Sequence, residues 1–319
     1  EAVTRVIDST QYIMGPEIDE LEKEIAEYCG TEDAVGVSSG TDALLISLMV
    51  LDVGPGDIVL TTNFSFFATA GVVARLNATP VFVDIDPETF NIDPKQLRFT
   101  LNEMDEERRK RVKALIPVHL YGQCANMAEI LKIAETFNIP VIEDCAQAIG
   151  AECEINGKIR CAGSMGDFGC FSFFPSKNLG GIGDGGIVTV NKPKLSELLR
   201  LKRVHGAERS YYHRMIGGNF RLDPIQATVI RIKLNHLNGW HQQRQKNAQY
   251  YNMLFAESEL NEKIRTPSIM HPKTMQNHHI FNQYVIRTER RDELQSFLES
   301  QGISSGVYYP IPFHLQECF

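Results

Sequence analysis

The 319-residue sequence lacks long hydrophobic runs, internal repeats and low-complexity tracts. Its longest apolar stretch, Ala43–Leu51, is interrupted by Ser47 and falls far short of the ~20 residues that a membrane-spanning helix needs. The first residues also lack the charged and then apolar pattern of a signal peptide, so we expect no secretion. These absences disfavour membrane, collagen-like and disordered chains and indicate an ordinary globular protein.

Paired cysteines are lacking as well. The seven cysteines are odd in number, stand at positions 29, 124, 145, 153, 161, 170 and 318, and include no pair at C-x-x-C spacing. A disulfide framework or a thiolate zinc site is therefore not indicated, and we expect no metal site. The pattern predicts reduced, mostly buried cysteines in a cytoplasmic protein.

An excess of positive charge is the third absence. Lysine and arginine number 32 against 40 aspartate and glutamate residues, which gives a formal charge of −8. Nucleic-acid-binding surfaces are usually basic, so we expect no nucleic-acid partner. The overall sign conceals a basic segment, residues 202–246, where nine lysine or arginine residues face two acids, Glu208 and Asp223. A small anionic ligand fits both observations.

Apolar runs and helical patterns alternate through the first two thirds of the chain. The strand-like runs are Ala34–Val37, Ile58–Leu60, Val81–Ile85, Ala114–Val118 and Val141–Asp144, and the helical patterns are Glu17–Cys29, Thr41–Leu51, Phe66–Arg75 and Ala125–Asn138. Such alternation predicts an α/β fold with a mainly parallel sheet covered by helices.

The last third predicts further elements. They are two strands, Phe168–Phe174 and Gly186–Val190, joined by a glycine-rich loop, a long helical stretch from Asp223 to Phe255, a strand at Tyr284–Arg287 and a helix at Arg291–Gln301. We interpret residues 1–235 as a large domain and residues 236–319 as a smaller C-terminal α+β domain.

Two catalytic motifs match in letters but fit their context poorly. Gly181–Gly186 fits the dinucleotide pattern G-x-G-x-x-G, but a strand follows it where a helix should begin. Gly36–Gly40 fits the nucleophile elbow G-x-S-x-G, and Ser38, Asp144 and His205 have the order of a hydrolase triad. Because only one strand precedes this turn and no His-Gly-Gly loop lies upstream, a serine hydrolase is the weaker alternative.

The same turn has a second use. Ser39–Asp42 lies where a strand ends and a helix begins, so free N–H groups and the helix dipole attract an anion. Gly40 lets the backbone approach such an anion closely. The pattern is equally compatible with Ser39 or Thr41 as a plain helix cap.

A carboxylate and a lysine occupy unusual positions. Asp144 ends a buried strand, at the sheet edge where α/β proteins bind ligands, although it is also compatible with a helix cap. Lys177 directly follows an aromatic strand inside a glycine-rich loop. Desolvation lowers the pKa of a lysine and makes its amine a nucleophile that can form a Schiff base. Ser172 lies five residues earlier, where its hydroxyl could bind a phosphate.

Taken together, the motifs resemble the DegT/StrS-type sugar-nucleotide aminotransferases, which use pyridoxal 5′-phosphate (PLP) and have the fold-type I architecture. The resemblance runs from Tyr12–Pro16 to the last residues. Its landmarks are Ser39–Leu44, Phe64–Thr69, Glu143–Gln147, Ser172–Asn178, Gly218–Asp223 and Gln226–Ala227. Their order and separations make the resemblance specific.

The resemblance implies a role for each site residue. Lys177 would carry the cofactor as a Schiff base and move protons, and Asp144 would pair with its pyridinium nitrogen. The other implied cofactor contacts are Phe66 on the ring face, Gln147 at the ring hydroxyl, and Gly40, Thr41 and Ser172 at the phosphate. Without the resemblance, Phe66 would be interpreted as a core aromatic residue.

The resemblance also implies partners. Asn219 would reach the phosphate of the neighbouring subunit's cofactor, which implies a homodimer with shared active sites. The expected substrate contacts are Arg221, which could meet the substrate or the donor carboxylate, and Tyr212, His213 and His314. Relatives usually continue beyond the motif that resembles Pro312–Gln316, so we expect part of the small domain to be missing.

The expected reaction follows from two positions. Many relatives have glutamate where this chain has Asp184, and aspartate occurs in a subset that resembles sugar 3-aminotransferases. Lys177 argues against a dehydratase branch that has histidine there. We therefore expect transfer of an amino group from an amino acid, with glutamate as the expected donor, to the 3-keto position of a nucleotide-linked hexose, for surface polysaccharide. The alternatives are a 4-keto substrate, a serine hydrolase at Ser38 and a non-catalytic PLP-binding regulator.

Overall fold

The computed structural model describes residues 1–260, 262–271 and 275–319. The strands are β1 (Asp33–Val37), β2 (Ile58–Thr62), β3 (Thr79–Val83), β4 (Val112–Ile116), β5 (Ile142–Asp144), β6 (Glu152–Ile155), β7 (Lys158–Cys161), β8 (Phe168–Ser172), β9 (Gly186–Val190), β10 (Ala207–Arg209) and β11 (Tyr212–His213). In this part of the chain, seven strands form a central sheet, while β6–β7 and β10–β11 are separate two-stranded hairpins.

Helices cover both faces of this sheet. They are α1 (Ala2–Ser9), α2 (Pro16–Cys29), α3 (Gly40–Val50), α4 (Ala68–Arg75), α5 (Pro94–Glu103), α6 (Glu106–Lys110), α7 (Met127–Phe137), α8 (Pro193–Arg203), α9 (Pro224–Leu234), α10 (Leu237–Glu257) and α11 (Arg291–Ser300). Apolar side chains of α2, α5, α7 and α9 share one core cluster, while those of α3, α4 and α8 share another. The predicted helix-covered α/β sheet is confirmed.

The sheet is mainly parallel, as predicted. Strands β3, β2 and β4 form one ladder, β5, β8, β9 and β1 form a second, and single bridges from Leu115 to Val141 and from Val118 to Asp144 connect them. Among the described strands of this central sheet, only β9 runs antiparallel to its neighbours, because the glycine-rich loop after β8 turns the chain straight back. Parallel strands bring their carboxyl ends to one edge of the sheet, where ligand sites form.

Side chains cover the outer edge of β1, which has no neighbouring strand along most of its length. Glu22 of α2, buried, accepts the Gly36 N–H at 2.7 Å, and Arg203 of α8 donates to both Glu22 and the Gly36 carbonyl. Arg200 donates to the Ala34 carbonyl at 3.1 Å. Further along, Ser38 N–H donates to the Phe220 carbonyl at 2.9 Å. These bonds satisfy the strand edge and fix where the chain leaves β1.

The C-terminal part differs from the sequence expectation in two respects. The long helical pattern after Asp223 is divided at Asn235–His236 into α9 and α10. The strand predicted at Tyr284–Arg287 is wrong, because within the described ranges only a single bridge, between Arg265 and Arg287, forms there. Its aromatic Tyr284 instead stacks on Tyr251 of α10 at 5.0 Å. The division into domains at residue 235 stays a prediction.

The cysteines match the expectation. All seven are free thiols, of which Cys29, Cys124, Cys145, Cys153 and Cys170 are buried. Among the described residues, no helix combines the length and the apolar character that crossing a bilayer requires.

Candidate active site

Three chain segments meet at the carboxyl edge of the sheet. Asp144 ends β5, Ser172 ends the parallel neighbour β8, and the turn after β1 leads into α3. The segments approach so closely that a Cβ on Gly186, the first residue of β9, would lie 2.4 Å from the Ser39 carbonyl oxygen. Only glycine fits at this position, so the sequence brings the α3 N-terminus against the end of β8.

The α3 N-terminus forms an anion cradle. Ser39 is the helix cap, as one interpretation of the sequence held, because its hydroxyl accepts the Asp42 N–H at 3.0 Å. The N–H groups of Gly40 and Thr41 have no partner within the helix, since they belong to its first turn. A Cβ on Gly40 would lie 2.6 Å from Ser172 Cβ. The Ser172 hydroxyl accepts the Phe174 N–H at 3.3 Å, which leaves its own proton free to bind an oxyanion.

Asp144 is a buried carboxylate at the centre of the site. Thr69 Oγ1 donates to its Oδ2 at 2.7 Å, and the Ala146 N–H donates to its Oδ1 at 3.2 Å. Burial raises the pKa of Asp144, while these two hydrogen bonds and the charge of Lys177 oppose that rise. A cation placed against this carboxylate would favour its ionised form.

Lys177 lies in the turn between β8 and β9. Its side chain is partly buried, and this burial lowers the pKa of its amine, against the opposing attraction of Asp144. A larger share of the amine is therefore neutral at a given pH than for an exposed lysine, and the neutral amine is the nucleophilic form. The structure thus brings Lys177 and Asp144 within electrostatic reach of each other.

Phe66 lies just before α4 and is not a core residue, since 56% of it is exposed. The Phe66 carbonyl accepts the Thr69 N–H. The turn that holds Phe66 therefore also positions Thr69, the residue that donates to Asp144. An exposed aromatic ring in this turn has a free face for a flat ligand.

Gln147 is buried, and its amide already has two partners. Its Oε1 accepts the Tyr121 N–H at 2.7 Å, and its Nε2 donates to the Tyr309 hydroxyl at 2.9 Å. Because Nε2 is the donor in that pair, the Tyr309 proton stays free to donate. Sequence reasoning missed Tyr121 and Tyr309, because they lie 26 and 162 residues from Gln147. Thr69 was missed as well, although it belongs to the Phe64–Thr69 landmark.

The other expected substrate and phosphate residues lie around this centre. Asn219, exposed, and Arg221, partly exposed, form backbone bridges with Val204 and Val37. Tyr212 and His213 form the exposed strand of the β10–β11 hairpin. His314 is exposed in a short 3₁₀ helix. Their expected contacts with substrate and phosphate stay a prediction.

A buried histidine, glutamate and cysteine lie behind the site. His119, Glu143 and Cys145 each place a ligand-type atom within 4.8 Å of the others. The Glu143 carboxylate is already occupied by the N–H groups of Gly163, Met165 and Gly166 and by His119 Nε2 at 2.8 Å. Its lone pairs are used for hydrogen bonds, so the cluster is a structural network rather than a metal site.

The geometry also weighs against the two false motifs. Ser38 Oγ donates to Asp42 Oδ2 at 2.7 Å. A serine hydrolase requires a hydrogen bond from this serine to the histidine, and the described residues show none between Ser38 and His205. The glycine-rich Gly181–Gly186 opens β9 and not a helix, so it lacks the anion-binding helix end of a dinucleotide site.

Four features meet at one end of the mainly parallel sheet. They are a helix N-terminus suited to an oxyanion, a buried carboxylate, a desolvated lysine and an exposed aromatic ring. They fit the phosphate, the ring nitrogen, the carbonyl carbon and the flat ring of PLP, respectively. Fold and site therefore define a PLP-dependent transferase of fold type I, and the aminotransferases that match this chain depend on that cofactor.

The chain belongs to the DegT/DnrJ/EryC1/StrS aminotransferase family, whose model matches residues 1–319. It is 47% identical over 321 residues to the pleiotropic regulatory protein of Geobacillus stearothermophilus, covering 99% of this chain and 82% of that protein. It is 41% identical over 317 residues to the UDP-N-acetyl-3-dehydro-alpha-D-glucosamine 3-aminotransferase of Acidithiobacillus ferrooxidans, covering 99% and 81%. The crystal structure of Streptomyces venezuelae DesV with a ketimine intermediate superposes with a TM-score of 0.90 at 38% identity, covering 99% and 81%. The protein is thus a PLP-dependent transaminase of the sugar aminotransferase family.

The raised pKa of Asp144 predicts a pH-dependent stability. The folded, cofactor-free protein holds this proton more tightly than the unfolded chain, so stability is present in full below the unfolded pKa of about 3.9 and falls as pH rises through the folded pKa. We expect Asp144→Asn to raise the thermal midpoint of the cofactor-free protein at neutral pH by roughly a few degrees, and the gain to shrink toward pH 4. Exposed Asp8 on α1 supplies the control, Asp8→Asn, which should show no such trend. A gain that stays constant with pH would contradict the burial of an ionised Asp144.

Proposed function

We propose that this transaminase moves an amino group from an amino acid, glutamate, to the 3-keto position of a nucleotide-linked hexose. The observation that carries its chemistry is the pair formed by Lys177 and Asp144, a desolvated amine within electrostatic reach of a buried carboxylate. A 3-keto position is supported by the relative from Acidithiobacillus ferrooxidans, whose name specifies a 3-aminotransferase. Asp184, in the glycine-rich loop, agrees with that subset.

The phosphate of PLP would lie at the α3 N-terminus. Gly40 and Thr41 offer backbone N–H groups there, and Ser172 offers a hydroxyl proton. The positive end of the helix dipole adds to this attraction. These contacts would anchor the cofactor away from its reacting carbon, so that binding energy orients the ring without taking part in the reaction.

Asp144 would hold a negative charge beside the ring nitrogen. When bound, PLP supplies a carbonyl carbon that exchanges amines and a protonated pyridine ring that accepts an electron pair. Asp144 would keep that ring nitrogen protonated, because an adjacent anion stabilises the cation. The Thr69 hydroxyl fixes one carboxylate oxygen. Phe66 would cover one ring face, and Gln147, which donates to Tyr309, would face the ring hydroxyl together with that tyrosine.

Lys177 would bind the cofactor carbon and then move the proton. Its Nζ takes a proton from the amino-bearing carbon of the donor amino acid. In the second half of the reaction it returns a proton to the hexose carbon that receives the nitrogen. The lowered pKa of Lys177 suits the base step, because more of the amine is neutral near pH 7.

The sugar nucleotide would bind beside the basic segment, residues 202–246. Arg221 offers a fork of donors for the donor carboxylate or for a nucleotide phosphate. Tyr212 and His213 of the β10–β11 hairpin and His314 are exposed and free to meet the hexose or the nucleotide. A 4-keto hexose is the second candidate substrate. The relative from Geobacillus stearothermophilus is named as a regulatory protein, which supports a third candidate, a family member that binds PLP without turnover.

We further propose a homodimer with shared sites. Asn219 lies on an exposed segment held to α8 and β1 by backbone bridges, so it is presented outward on a rigid support. The neighbouring hairpin and the residues after it expose Tyr211, Tyr212 and Ile216, large apolar side chains of the kind that a subunit contact buries. Asn219 of each subunit would meet the cofactor phosphate of the other. A cytoplasmic location stays a prediction from the free thiols.

Lys177 carries the first prediction of this function. Borohydride reduction of the cofactor-loaded protein should attach the cofactor to the Lys177 peptide, as read by mass spectrometry. Lys177→Ala should lower kcat by about 10⁴-fold or more, because both nucleophile and base are lost. Lys177→Arg keeps the charge but not the nucleophile and should be equally inactive. The matched control is exposed Lys95→Ala on α5, and full activity of Lys177→Ala would refute the assignment.

The substrate prediction concerns the ketone position. With glutamate as donor, 3-keto UDP- or dTDP-hexoses should be converted to amino sugars, read as a product mass and as 2-oxoglutarate formation. The kcat/KM for the 3-keto compound should exceed that for the matched 4-keto compound by about 100-fold, since a site built around one carbonyl leaves polar groups unpaired with the other. Preference for the 4-keto compound would select the second candidate, and bound PLP without turnover of either would select the regulator.

Shared sites predict complementation between inactive variants. Lys177→Ala and Asn219→Ala proteins should each be weak alone, because each lacks one half of both sites. After subunit exchange, half of the dimers would be mixed and carry one intact site, so activity should recover to about a quarter of wild type. Recovery should depend on protein concentration and time, as exchange does. No recovery after demonstrated exchange would place Asn219 in the same subunit's site.

A further inference from the structure

The backbone turn that carries Lys177 is shaped by its own bonds. In this lysine turn, residues 173–181, the Lys177 N–H donates to the Phe174 carbonyl at 2.9 Å and the Gly181 N–H donates to the Phe173 carbonyl at 2.7 Å. A Cβ on Gly180 would lie 2.5 Å from the Pro175 carbonyl oxygen, so only glycine lets the turn close. These bonds set the shape of the turn, while its place over the sheet depends on contacts with other segments, among them the bond from Asn178 Nδ2 to the Ile280 carbonyl at 3.3 Å.

Two side chains of α9 hold the exit of the lysine turn from outside. Lys233 Nζ donates to the Gly180 carbonyl at 2.6 Å, and Gln226 Oε1 accepts the Ile182 N–H at 2.8 Å. The Gln226 amide also packs directly against Gly181 and Gly183. A Cβ on these glycines would lie 2.6 Å and 2.7 Å from the amide, respectively, so a side chain at either position would displace it. The two contacts thus fix consecutive peptide groups on either side of Gly181.

The spacing of these two residues explains why both reach the turn. Gln226 and Lys233 are seven residues apart, which is close to two helical turns and places them on one face of α9. Lys233 has no acidic partner among the described residues, so its charge is directed to a backbone carbonyl. A charged donor makes the stronger kind of hydrogen bond.

Helix α9 is itself fixed. Arg231 donates to Glu17 at 2.7 Å and to Glu24 at 2.7 Å on α2, while Ala227 and Ile230 are buried in the core. The segment that bears Asn219 and Arg221 leads directly into its first turn. One rigid helix therefore borders both the lysine turn and the segment expected to face phosphate and substrate.

We propose that Lys233 and Gln226 are positioning residues that hold the lysine turn and thereby fix Lys177 Nζ relative to Asp144. The inference rests on the proposed role of Lys177 and adds to it. Neither residue touches the reacting atoms, and each acts only through the backbone next to Gly181. Removing either contact lets the turn move toward solvent without altering Asp144 or the anion cradle.

The test uses Lys233→Met and Gln226→Leu, which keep the size of the side chain and remove the contact. Exposed Lys194 on α8 and exposed Gln242 on α10 have no side-chain hydrogen bond among the described residues, so Lys194→Met and Gln242→Leu are the matched controls. Lys233→Arg keeps a charged donor and should restore the wild-type behaviour. Because the two test variants remove separate contacts, failure of one to fold leaves the other as the test.

The main readout is the reactivity of Lys177 in protein loaded with pyridoxamine 5′-phosphate, in which its amine is free. Reductive methylation with formaldehyde, followed by mass spectrometry of the Lys177 peptide, gives the pH midpoint of labelling. A turn that moves into water should raise this midpoint by about half a unit or more, because burial is what lowers the pKa of this amine. The kcat should fall about tenfold with KM for the keto sugar little changed, since the proton-transfer geometry is what is lost.

The outcomes separate the two proposals. If borohydride fails to attach the cofactor to Lys177 in the wild-type protein, the proposed function fails and not merely the positioning. If the adduct forms at Lys177 but the labelling midpoint and kcat of Lys233→Met and Gln226→Leu equal those of the controls, the positioning inference is overturned. A lowered thermal midpoint with an unchanged labelling midpoint likewise assigns the two residues a structural role only.

Discussion

Burial of the Asp144 carboxylate is the constraint on which the site depends. An ionised carboxylate away from water is costly unless hydrogen bonds and cations compensate. The structure supplies Thr69, the Ala146 N–H and the nearby Lys177, yet burial still raises the pKa of Asp144. Full compensation calls for a further cation, and a protonated pyridine ring is one. Burial acts in the opposite sense on Lys177, where it lowers the pKa of the amine. The same burial thus favours a cation beside the Asp144 carboxylate and the neutral, nucleophilic form of the Lys177 amine.

Close backbone contact is what places these groups together. Gly40 and Gly186 let the α3 N-terminus, the end of β8 and the start of β9 come within contact distance, and Gly180 lets the lysine turn close. Hydrogen bonds along the outer edge of β1, from Glu22, Arg200 and Arg203, fix the strand that feeds α3. The anion cradle is therefore supported on two sides. Glycine packing supports it toward the sheet, and charged side chains support it along the outer edge of β1.

The sequence predicted those parts of the structure that local pattern determines. The alternation of β-branched runs and amphipathic helices is local, so the helix-covered sheet and most element positions followed from it. Asp144 was recognisable because it ends a buried strand, Lys177 because it follows an aromatic strand inside a glycine-rich loop, and Ser172 because it lies five residues before Lys177. Thr69, Tyr121 and Tyr309 were not, because their contacts arise from tertiary packing between distant segments. The strand expected at Tyr284–Arg287 failed for a related reason, since aromatic stacking on α10 replaced pairing with a neighbouring strand.

Helix α9 shows how the fold separates shaping a catalytic loop from placing it. The lysine turn takes its shape from glycines and from its own backbone bonds, which are encoded within a few residues. Its place depends on contacts with distant segments, namely Ile280, which accepts from Asn178, and Lys233 and Gln226, more than 40 residues further along the chain. Because the same helix begins where the Asn219–Arg221 segment ends, a displacement of α9 would move the lysine turn and that segment together. Arg231, bound to α2, opposes such a displacement. The ion pairs on the outer side of α9 thus belong to the support of the active site, although none of them faces it.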